Sequence, residues 1–298
     1  MFYDMAEFGD IKVMIVAASH PFHGKTFYFA TKHGKEALLK PLLAELGVDC
    51  IAAPIDSDKF GTFSGEVERT GSVQETLRKK IKAAADKHSE AQFFLASEGS
   101  FGPHPLIGFM QTDLESLLLW DRETGSEIYA EYLATNPVHA EKILGPRDDY
   151  QAFLKEITFP GHGVIVHPEG LLAPLSKGLH TVQDVEQAML ECFAASTTAR
   201  VVLMTDLRAC HNATRRDAIY NAGIKLIECL NSFCPTCKYP GFTVAETVPG
   251  LPCAACKEPS RIAKAVLLAC PRCKTKEERP RPDGQRELDP SECEFCNP

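Results

Sequence analysis

Four Cys-x-x-Cys pairs near the carboxyl end of the 298-residue sequence are the residues whose type and spacing most clearly predict chemistry. They are Cys234 with Cys237, Cys253 with Cys256, Cys270 with Cys273, and Cys293 with Cys296. Two intervening residues let one turn present two thiolates to a single ion. Gaps of 15 residues between the first two pairs and 19 between the last two are typical of four-cysteine zinc sites. We therefore predict two zinc ribbons with sequential pairing, and a crossed arrangement that uses the middle pairs stays open.

Eight thiolates around two Zn²⁺ ions leave no coordination position for a substrate, so these ions are predicted to be structural. From Cys234 onward the chain is rich in Pro, Gly and charged residues and too poor in apolar residues to form its own core. Metal binding would then supply the folding free energy of this segment. A redox role for Cys270 and Cys273 would leave the other three pairs unexplained.

An alternative interpretation is that the protein is a non-enzymatic adaptor. Its predicted partner is a protein or an RNA that docks on the ribbons. The ribbons carry a local basic stretch, formed by Arg272, Lys274, Lys276, Arg279 and Arg281. Residues 231–298 hold 10 Lys and Arg against 9 Asp and Glu, and two Zn²⁺ ions with eight thiolates would add a net negative charge. The charge of this segment therefore does not favour tight binding of nucleic acid.

Polar loops follow three of the predicted strands, at the strand ends where open α/β sheets place their ligands. The segment Thr31–Lys35 combines hydroxyl, basic and glycine residues at a predicted helix start, which suits a phosphate group. Thr31, Lys32 and Lys35 are the predicted phosphate-binding residues. The alternative is a solvated turn with ordinary lysines.

Two acids, Glu66 and Glu98, are predicted to be catalytic, holding Mg²⁺ or activating water. Glu66 ends the segment Asp58–Glu66, which contains two glycines, and Glu98 follows an apolar run at the start of the glycine-rich turn Ser97–His104. Mg²⁺ prefers carboxylate oxygen and water, and a positioned carboxylate can act as a general base. For Glu98 the alternative is a capping or salt-bridged acid.

A further cluster, Thr205–Arg216, brings an aspartate and several arginines to a predicted helix start. The guanidinium fork matches phosphate or carboxylate oxygens, so Arg208 and Arg215 are predicted to contact an anionic ligand. The alternative places Arg215 or Arg216 on the solvated face of the helix.

The elements that position these residues alternate between short apolar runs and amphipathic helical stretches over residues 1–230. This pattern predicts an α/β domain with a mixed sheet flanked by helices, followed by a small double zinc-ribbon domain at residues 231–298. The predicted strands are Val13–Ala17, Phe27–Thr31, Phe93–Ala96, Leu117–Trp120, Val164–Val166 and Val201–Met204. Helix starts are predicted where a hydroxyl residue precedes an acid by three positions, at Ser72 with Glu75, Thr181 with Asp184 and Thr214 with Asp217.

The composition indicates a soluble, cytoplasmic protein. The formal net charge is -8, and no apolar run approaches the roughly 20 residues that a membrane span needs, so no membrane partner is expected. The sequence contains no Gly-x-Ser-x-Gly, P-loop or Gly-x-Gly-x-x-Gly motif. Serine hydrolases, P-loop nucleotidases and dinucleotide-dependent oxidoreductases are therefore disfavoured.

Over almost its whole length the sequence resembles a bacterial family known only as a domain of unknown function. The segments that carry the resemblance are Ala30–Glu36, Phe60–Glu66, Ser97–His104, Thr205–Arg208, Leu251–Cys253 and Cys293–Pro298. This resemblance implies a shared fold and does not indicate an activity.

Residues from about 27 to 130 are more distantly similar to the inosine/xanthosine triphosphate pyrophosphatase-like proteins. The shared order is a strand that ends in Ala30-Thr31 with lysine beyond, then Phe60-Gly61, Glu66, Arg69-Thr70-Gly71, a helix and Glu98-Gly99. Those proteins cleave non-standard nucleoside triphosphates to monophosphate and pyrophosphate with Mg²⁺. This chain has His33 where they have asparagine, and its Lys35 comes one residue early.

These observations together predict that the α/β domain binds a nucleotide or another phosphorylated small molecule and hydrolyses it with Mg²⁺. The two zinc ions would serve the ribbon tail as structural cofactors. The non-enzymatic adaptor is the competing hypothesis.

Overall fold

The computed structural model describes residues 20–32, 34–61, 69–104, 107–171, 173 and 175–298. The predicted strand Val13–Ala17 lies outside these residues. The strands are β1 Thr26–Thr31, β2 Asp49–Pro54, β3 Phe93–Pro103, β4 Gln111–Asp121, β5 Ser126–Ala134, β6 Glu141–Leu144, β7 Val164–Pro168, β8 Ser176–Leu179, β9 Val201–Thr205, β10 Thr243–Pro249, β11 Ala263–Ala269 and β12 Lys276–Pro280. The helices are α1 Glu36–Ala44, α2 Val73–Ala85, α3 Tyr150–Glu156, α4 Val182–Ala195 and α5 Ala213–Leu230.

A mixed sheet in the order β2-β1-β3-β4-β5 forms the centre of the α/β region, which confirms the predicted fold class. Strand β1 runs parallel to β2 and β3, whereas β3, β4 and β5 form an antiparallel meander. The parallel connections pass through α1 and α2, because parallel neighbours cannot be joined by a tight turn.

Helices cover this sheet on both faces, as the alternating burial along its strands requires. On one face Phe27, Phe29 and Leu95 pack with α1 and α5, and on the other Phe94, with neighbours such as Leu118, packs with α2. Both faces of β1 and β3 are therefore apolar, which is typical of strands buried between two helical layers.

Helices α1 and α5 approach each other closely at Gly223. A Cβ atom at this position would lie 2.5 Å from Cδ2 of Leu39 and 2.8 Å from Cδ1 of Leu42, so these two buried side chains would have to shift. The glycine costs α5 some helical stability, and in return it lets the two helices pack in one layer on the sheet.

A second sheet, in the order β6-β9-β7-β8, has its own core. Its strands pair antiparallel throughout, and α3 and α4 cover it through residues such as Phe153, Leu154 and Val185. A third, three-stranded sheet is formed by β10, β11 and β12. Among the described residues no helix has both the length and the apolar character needed to cross a membrane.

The predicted helix starts are confirmed for α2 and α4 but not for α5. Ser72 Oγ accepts a hydrogen bond from the N–H of Glu75 at 3.2 Å, and the Glu75 carboxylate accepts one from the N–H of Ser72 at 2.8 Å. Thr181 Oγ1 likewise accepts from the N–H of Asp184 at 3.1 Å. The cap of α5 is Asn212 rather than Thr214, because the Asn212 side chain already satisfies the N–H of Arg215.

Candidate functional site

A cleft opens where β1 and β3 approach the start of α5. Thr31 ends β1, Ser97 and Glu98 belong to β3, and a short 3₁₀ helix after β2 contributes Asp58. The opposite wall comes from Lys177 of β8, Arg208 and Ala209 after β9, and Arg215 in the first turn of α5. The cleft thus draws on both sheets of the α/β region.

The structure brings together the predicted site residues that lie in its described part. Thr31, Lys32, Lys35, Glu98, Arg208 and Arg215 all line the cleft. Glu66 lies outside the described residues. The catalytic and phosphate-binding roles assigned to these side chains stay predictions.

Two lysines of the cleft were missed by the sequence analysis, Lys80 and Lys177. Lys80 had a detectable signal, because it lies on the apolar stripe of α2 beside Leu77, Ile81 and Ala84. A charged residue on the buried face of a helix has to find a partner inside the protein. For Lys177, on a short strand with partly exposed neighbours, the sequence offers no such signal.

Glu98 is buried and faces two cationic side chains. The Lys80 ammonium pairs with Oε2, and Nη1 of Arg69 lies 3.4 Å from Oε1. Lys80 also donates to the carbonyl oxygen of Ser97 at 3.0 Å. Burial alone would raise the pKa of Glu98, but the charges of Lys80 and its neighbours outweigh it and keep this pKa below its ordinary value. This geometry matches the salt-bridged alternative stated above for Glu98.

Lys35 lies at the start of α1, with its ammonium group against β3. Its Nζ donates to Oγ of Ser97 at 3.1 Å. Burial, the charge of Arg215 and the charge of Lys80 lower the pKa of Lys35 to about 7, against the opposing pull of Glu115 and Glu98. Near neutral pH, both the ammonium form and the neutral amine form of Lys35 are therefore populated.

Arg215 is almost completely buried and forms an ion pair with Glu115 of β4. Its Nε donates to Oε1 of Glu115 at 2.6 Å, and its Nη1 donates to the carbonyl oxygen of Leu207 at 2.5 Å. Gly99 makes room for this pair, since a Cβ atom there would lie 2.5 Å from Oε1 of Glu115 and 2.6 Å from Nη2 of Arg215. Arg215 thus connects α5 to the central sheet and also lines the cleft.

Arg208 is held by Asp206, whose carboxylate is fully buried. Nε of Arg208 lies 3.0 Å from Oδ1 and Nη2 lies 2.5 Å from Oδ2, which is the two-point geometry of a strong guanidinium–carboxylate pair. The N–H of Gly178 donates to the same carboxylate at 3.0 Å. Arg208 keeps about a fifth of its side chain exposed, toward the cleft that it lines.

Asp113 is the most unusual acid near the cleft. It is 1 % exposed, and neither carboxylate oxygen has a hydrogen-bond partner within the described part of the chain. Burial and the neighbouring Glu115 raise its pKa to about 7. The sequence carried a signal, because Asp113 and Glu115 alternate in phase with the buried Leu117 and Leu119 of β4.

The eight cysteines of the four pairs form two groups of four. The first tetrad is Cys234, Cys237, Cys270 and Cys273, and the second tetrad is Cys253, Cys256, Cys293 and Cys296. Two sulfur–sulfur distances are 3.6 Å in the first tetrad and two are 3.8 Å in the second, and all sulfurs of a tetrad lie within 4.8 Å of one another. Sulfurs about 2.3 Å from a tetrahedral Zn²⁺ ion lie about 3.8 Å apart, far from the separation in a disulfide. Each tetrad could therefore hold one structural zinc ion.

The predicted sequential pairing is wrong, because the pairs interleave along the chain. The first pair joins the third, and the second joins the fourth. Strand β10 leads away from the first tetrad, β11 returns to it, and β12 leads away again. One meander therefore carries a tetrad at each end, separated by roughly 20 Å for a seven-residue strand. The bridge between Cys253 and Leu288 brings the last cysteine pair to the second tetrad.

The four turns that carry the cysteines share one backbone pattern. The residue after each pair donates its N–H to the carbonyl oxygen of the pair's first cysteine, over distances of 2.8 to 3.2 Å. These residues are Lys238, Lys257, Lys274 and Asn297. The three lysines have φ angles of 58 to 62°. This close turn aims both sulfurs to one side, and it places positive charge beside a thiolate cluster. The Thr275 hydroxyl, 3.2 Å from Sγ, helps to lower the pKa of Cys273 to about 6.

The two tetrads differ in what surrounds them. Cys234 and Cys270 belong to the same buried cluster as Phe27 and Leu119 of the central sheet, and the Tyr239 hydroxyl donates to the carboxylate of Asp121 at 2.9 Å. The second tetrad has only a small cluster of its own, with Leu251 and Leu288. Helix α5 ends at Leu230, at the predicted domain boundary, and that division stays a prediction.

Comparisons with known proteins identify a family but no activity. A model of the family described as Domain of unknown function (DUF6671) matches residues 80–298. No curated protein matches the chain. Among solved structures, the chain is similar to protein VC0702 from Vibrio cholerae at 10% identity, covering 68% of this chain and 93% of that one. The TM-score of 0.30 is too low for this similarity to support a conclusion about fold or function. None of these findings shows the expected similarity to the inosine/xanthosine triphosphate pyrophosphatase-like proteins.

We expect Glu98→Gln to destabilise the protein by about 3 kcal/mol, because it leaves the buried ammonium of Lys80 without its carboxylate. The measurement is the free energy of unfolding in urea. The double variant Glu98→Gln, Lys80→Met should recover much of the loss, since it removes both charges. A Glu98→Gln protein as stable as the wild type would show that the ion pair contributes nothing to folding.

Asp113 should make the protein less stable as the pH rises from about 4 to 7. The folded state holds the Asp113 proton through this range and the unfolded state does not, so stability falls with increasing pH. Asp113→Asn should remove this dependence and stabilise the protein above pH 7 by on the order of 2 kcal/mol. Urea unfolding at several pH values measures both effects. The exposed Asp217→Asn is the control, and identical pH profiles for wild type and Asp113→Asn would contradict the assignment.

The purified protein should contain about two zinc ions per chain, and Cys237→Ser or Cys256→Ser should each reduce the content to about one. Cys237→Ser should also lower the melting temperature of the whole chain, because the first tetrad is part of the main core. Cys256→Ser should lower it much less. Elemental analysis and thermal melting measure these effects, with the exposed Cys210→Ser as control. Retention of both ions by either tetrad variant would exclude that tetrad as a zinc site.

Proposed function

The chain belongs to the DUF6671 family, and we propose that its cleft binds the phosphate group of a small phosphorylated molecule. The observation that carries this proposal is the charge of the lining. Six cationic side chains line the cleft against two carboxylates, Asp58 and Glu98. Both carboxylates are already engaged, Asp58 with Lys32 and Glu98 with Lys80. Arg208 and Arg215 also have carboxylate partners behind the lining, Asp206 and Glu115. Six cationic side chains against these four carboxylates still leave an excess of positive charge, which a bound anion would balance.

The geometry also provides the hydrogen-bond donors that a phosphate group needs. Arg208 and Lys32 keep their charge at neutral pH, because their carboxylate partners raise both pKa values. Lys35 adds a further positive charge when the pH is low enough to keep it protonated. Among the described residues it has no carboxylate within ion-pair distance. Thr31 contributes a hydroxyl at the end of β1.

Binding of a nucleotide, and its hydrolysis with Mg²⁺, is the narrower form of this proposal. It would use Glu66 and Glu98, supported by the predicted phosphate-binding residues. A cation bound at Glu98 would have to compete with Lys80 and Arg69 for the carboxylate oxygens. The contacts of Glu98 therefore support ligand binding better than metal-dependent turnover.

The adaptor hypothesis receives less support, because the basic stretch of the ribbons is engaged internally. Arg279 pairs with Glu277, Arg281 with Asp283 and Lys276 with Glu246. Arg272 lies over the ring of Tyr239, with 5.4 Å between Cζ and the ring centroid. The three side chains that are paired with carboxylates therefore offer little net charge to the backbone of a nucleic acid.

Titration of the protein with sulfate at several pH values tests the proposal, because sulfate mimics phosphate and keeps its charge over the range. We expect binding to weaken by up to about tenfold as the pH rises above 7, because Lys35 loses its proton. Lys32→Gln should weaken binding on the order of tenfold at pH 7. Calorimetry or thermal shift measures the affinity.

Lys276→Gln is the matched control, since Lys276 is a similarly exposed, ion-paired lysine outside the cleft. It should bind sulfate as the wild type does. Absence of sulfate and phosphate binding by the wild type, or equal losses in the Lys32 and Lys276 variants, would refute the proposed function.

A further inference from the structure

The three lysines on the Thr31 side of the cleft have different surroundings. Lys32 pairs with Asp56 and Asp58, and Lys80 pairs with Glu98. The contact that the structure gives the Lys35 ammonium within the described residues is the hydroxyl of Ser97, at 3.1 Å. Lys35 is therefore the one of these three whose charge no described carboxylate stabilises by direct contact.

The neighbours of Lys35 also oppose its charge. The guanidinium of Arg215 is fixed by Glu115 and Leu207, and the ammonium of Lys80 is fixed by Glu98 and Ser97, so neither can move away. A lysine confined beside other cations loses its proton easily, and its neutral amine is then a nucleophile. The pKa of about 7 agrees with this arrangement, whereas the carboxylate of Asp58 raises the pKa of Lys32.

We propose that Lys35 is a nucleophilic amine that forms an imine with an aldehyde or ketone group of the phosphorylated molecule bound in the cleft. This inference rests on the proposed function, which supplies the phosphate contact. Lys32 and Arg208 would hold the phosphate through their permanent charges, and Lys35 lies on the same lining. The substrate class is thus a small molecule that carries both a phosphate and a carbonyl group.

The step balances without any further reactant. The lone pair of Nζ attacks the carbonyl carbon, a C–N bond forms, and the carbonyl oxygen takes up a proton to give a carbinolamine. Loss of this oxygen as water forms the imine, so one water molecule is released and nothing is oxidised or reduced. The Ser97 hydroxyl, within hydrogen-bond distance of Nζ, can exchange a proton with the amine.

Pyridoxal 5′-phosphate is a suitable probe, because it combines an aldehyde with a phosphate. The full-length protein would be treated with this probe, reduced with borohydride to make the adduct permanent, and mapped by mass spectrometry of its peptides. We expect Lys35 to be labelled at least about tenfold faster than Lys32 or Lys80, as a neutral amine should be. Inorganic phosphate should protect Lys35, and pyridoxal without phosphate should label it more slowly.

Two variants make the result specific. Lys35→Arg keeps the positive charge and should retain sulfate binding while losing the label in the cleft. Lys276→Arg, at an ion-paired lysine outside the cleft, should leave the labelling of Lys35 intact.

The outcomes separate the two proposals. If sulfate binds but Lys35 is labelled no faster than Lys32, the imine inference is wrong and the proposed function stands. If pyridoxal labels Lys35 as fast as its phosphate does, and phosphate gives no protection, Lys35 is a reactive amine in a cleft that does not bind phosphate. That result would refute the proposed function and, with it, the phosphorylated substrate class.

Discussion

The buried ion pair between Arg215 and Glu115 is the interaction on which the arrangement of the cleft depends. It joins the first turn of α5 to β4, an inner strand of the first sheet. The same guanidinium holds the carbonyl oxygen of Leu207, so the loop that carries Arg208 is tied to the same point. A side chain at position 99 would displace this pair, because its Cβ atom would lie 2.5 Å from Oε1 of Glu115 and 2.6 Å from Nη2 of Arg215.

This pair also sets the electrostatics around it. Burial and the fixed guanidinium of Arg215 lower the pKa of Lys35, and burial and the negative charge of Glu115 raise the pKa of Asp113. Two groups with opposite ordinary charge are therefore both shifted toward their neutral forms near pH 7. Groups held away from their ordinary charge state cost folding free energy at neutral pH, and perturbed pKa values beside a cleft are characteristic of ligand sites.

The sequence predicted local features well and long-range ones poorly. The start of β3 at Phe93, the caps of α2 and α4 and the loop residues around Thr31 depend on neighbours a few positions away. The glycine-rich turn predicted from Ser97 onward is wrong, because β3 pairs with β4 and continues to Pro103. The partnership of Lys80 with Glu98, the orphaned Asp113 and the interleaved tetrads depend on which strands lie side by side. Spacing alone favours the sequential pairing, because its gaps of 15 and 19 residues are shorter than the gaps of 32 and 36 residues in the interleaved pairing. The β10-β11-β12 meander overrides this preference by bringing the first pair to the third and the second pair to the fourth. At Glu66, outside the described residues, the site prediction has not been tested.

The interleaving of the cysteine pairs has a consequence for the order of events during synthesis. The first tetrad is complete once the ribosome has passed Cys273, whereas the second waits for Cys293 and Cys296, the last pair in the sequence. The ion that joins the main core therefore has its full set of ligands earlier in synthesis than the outer ion has.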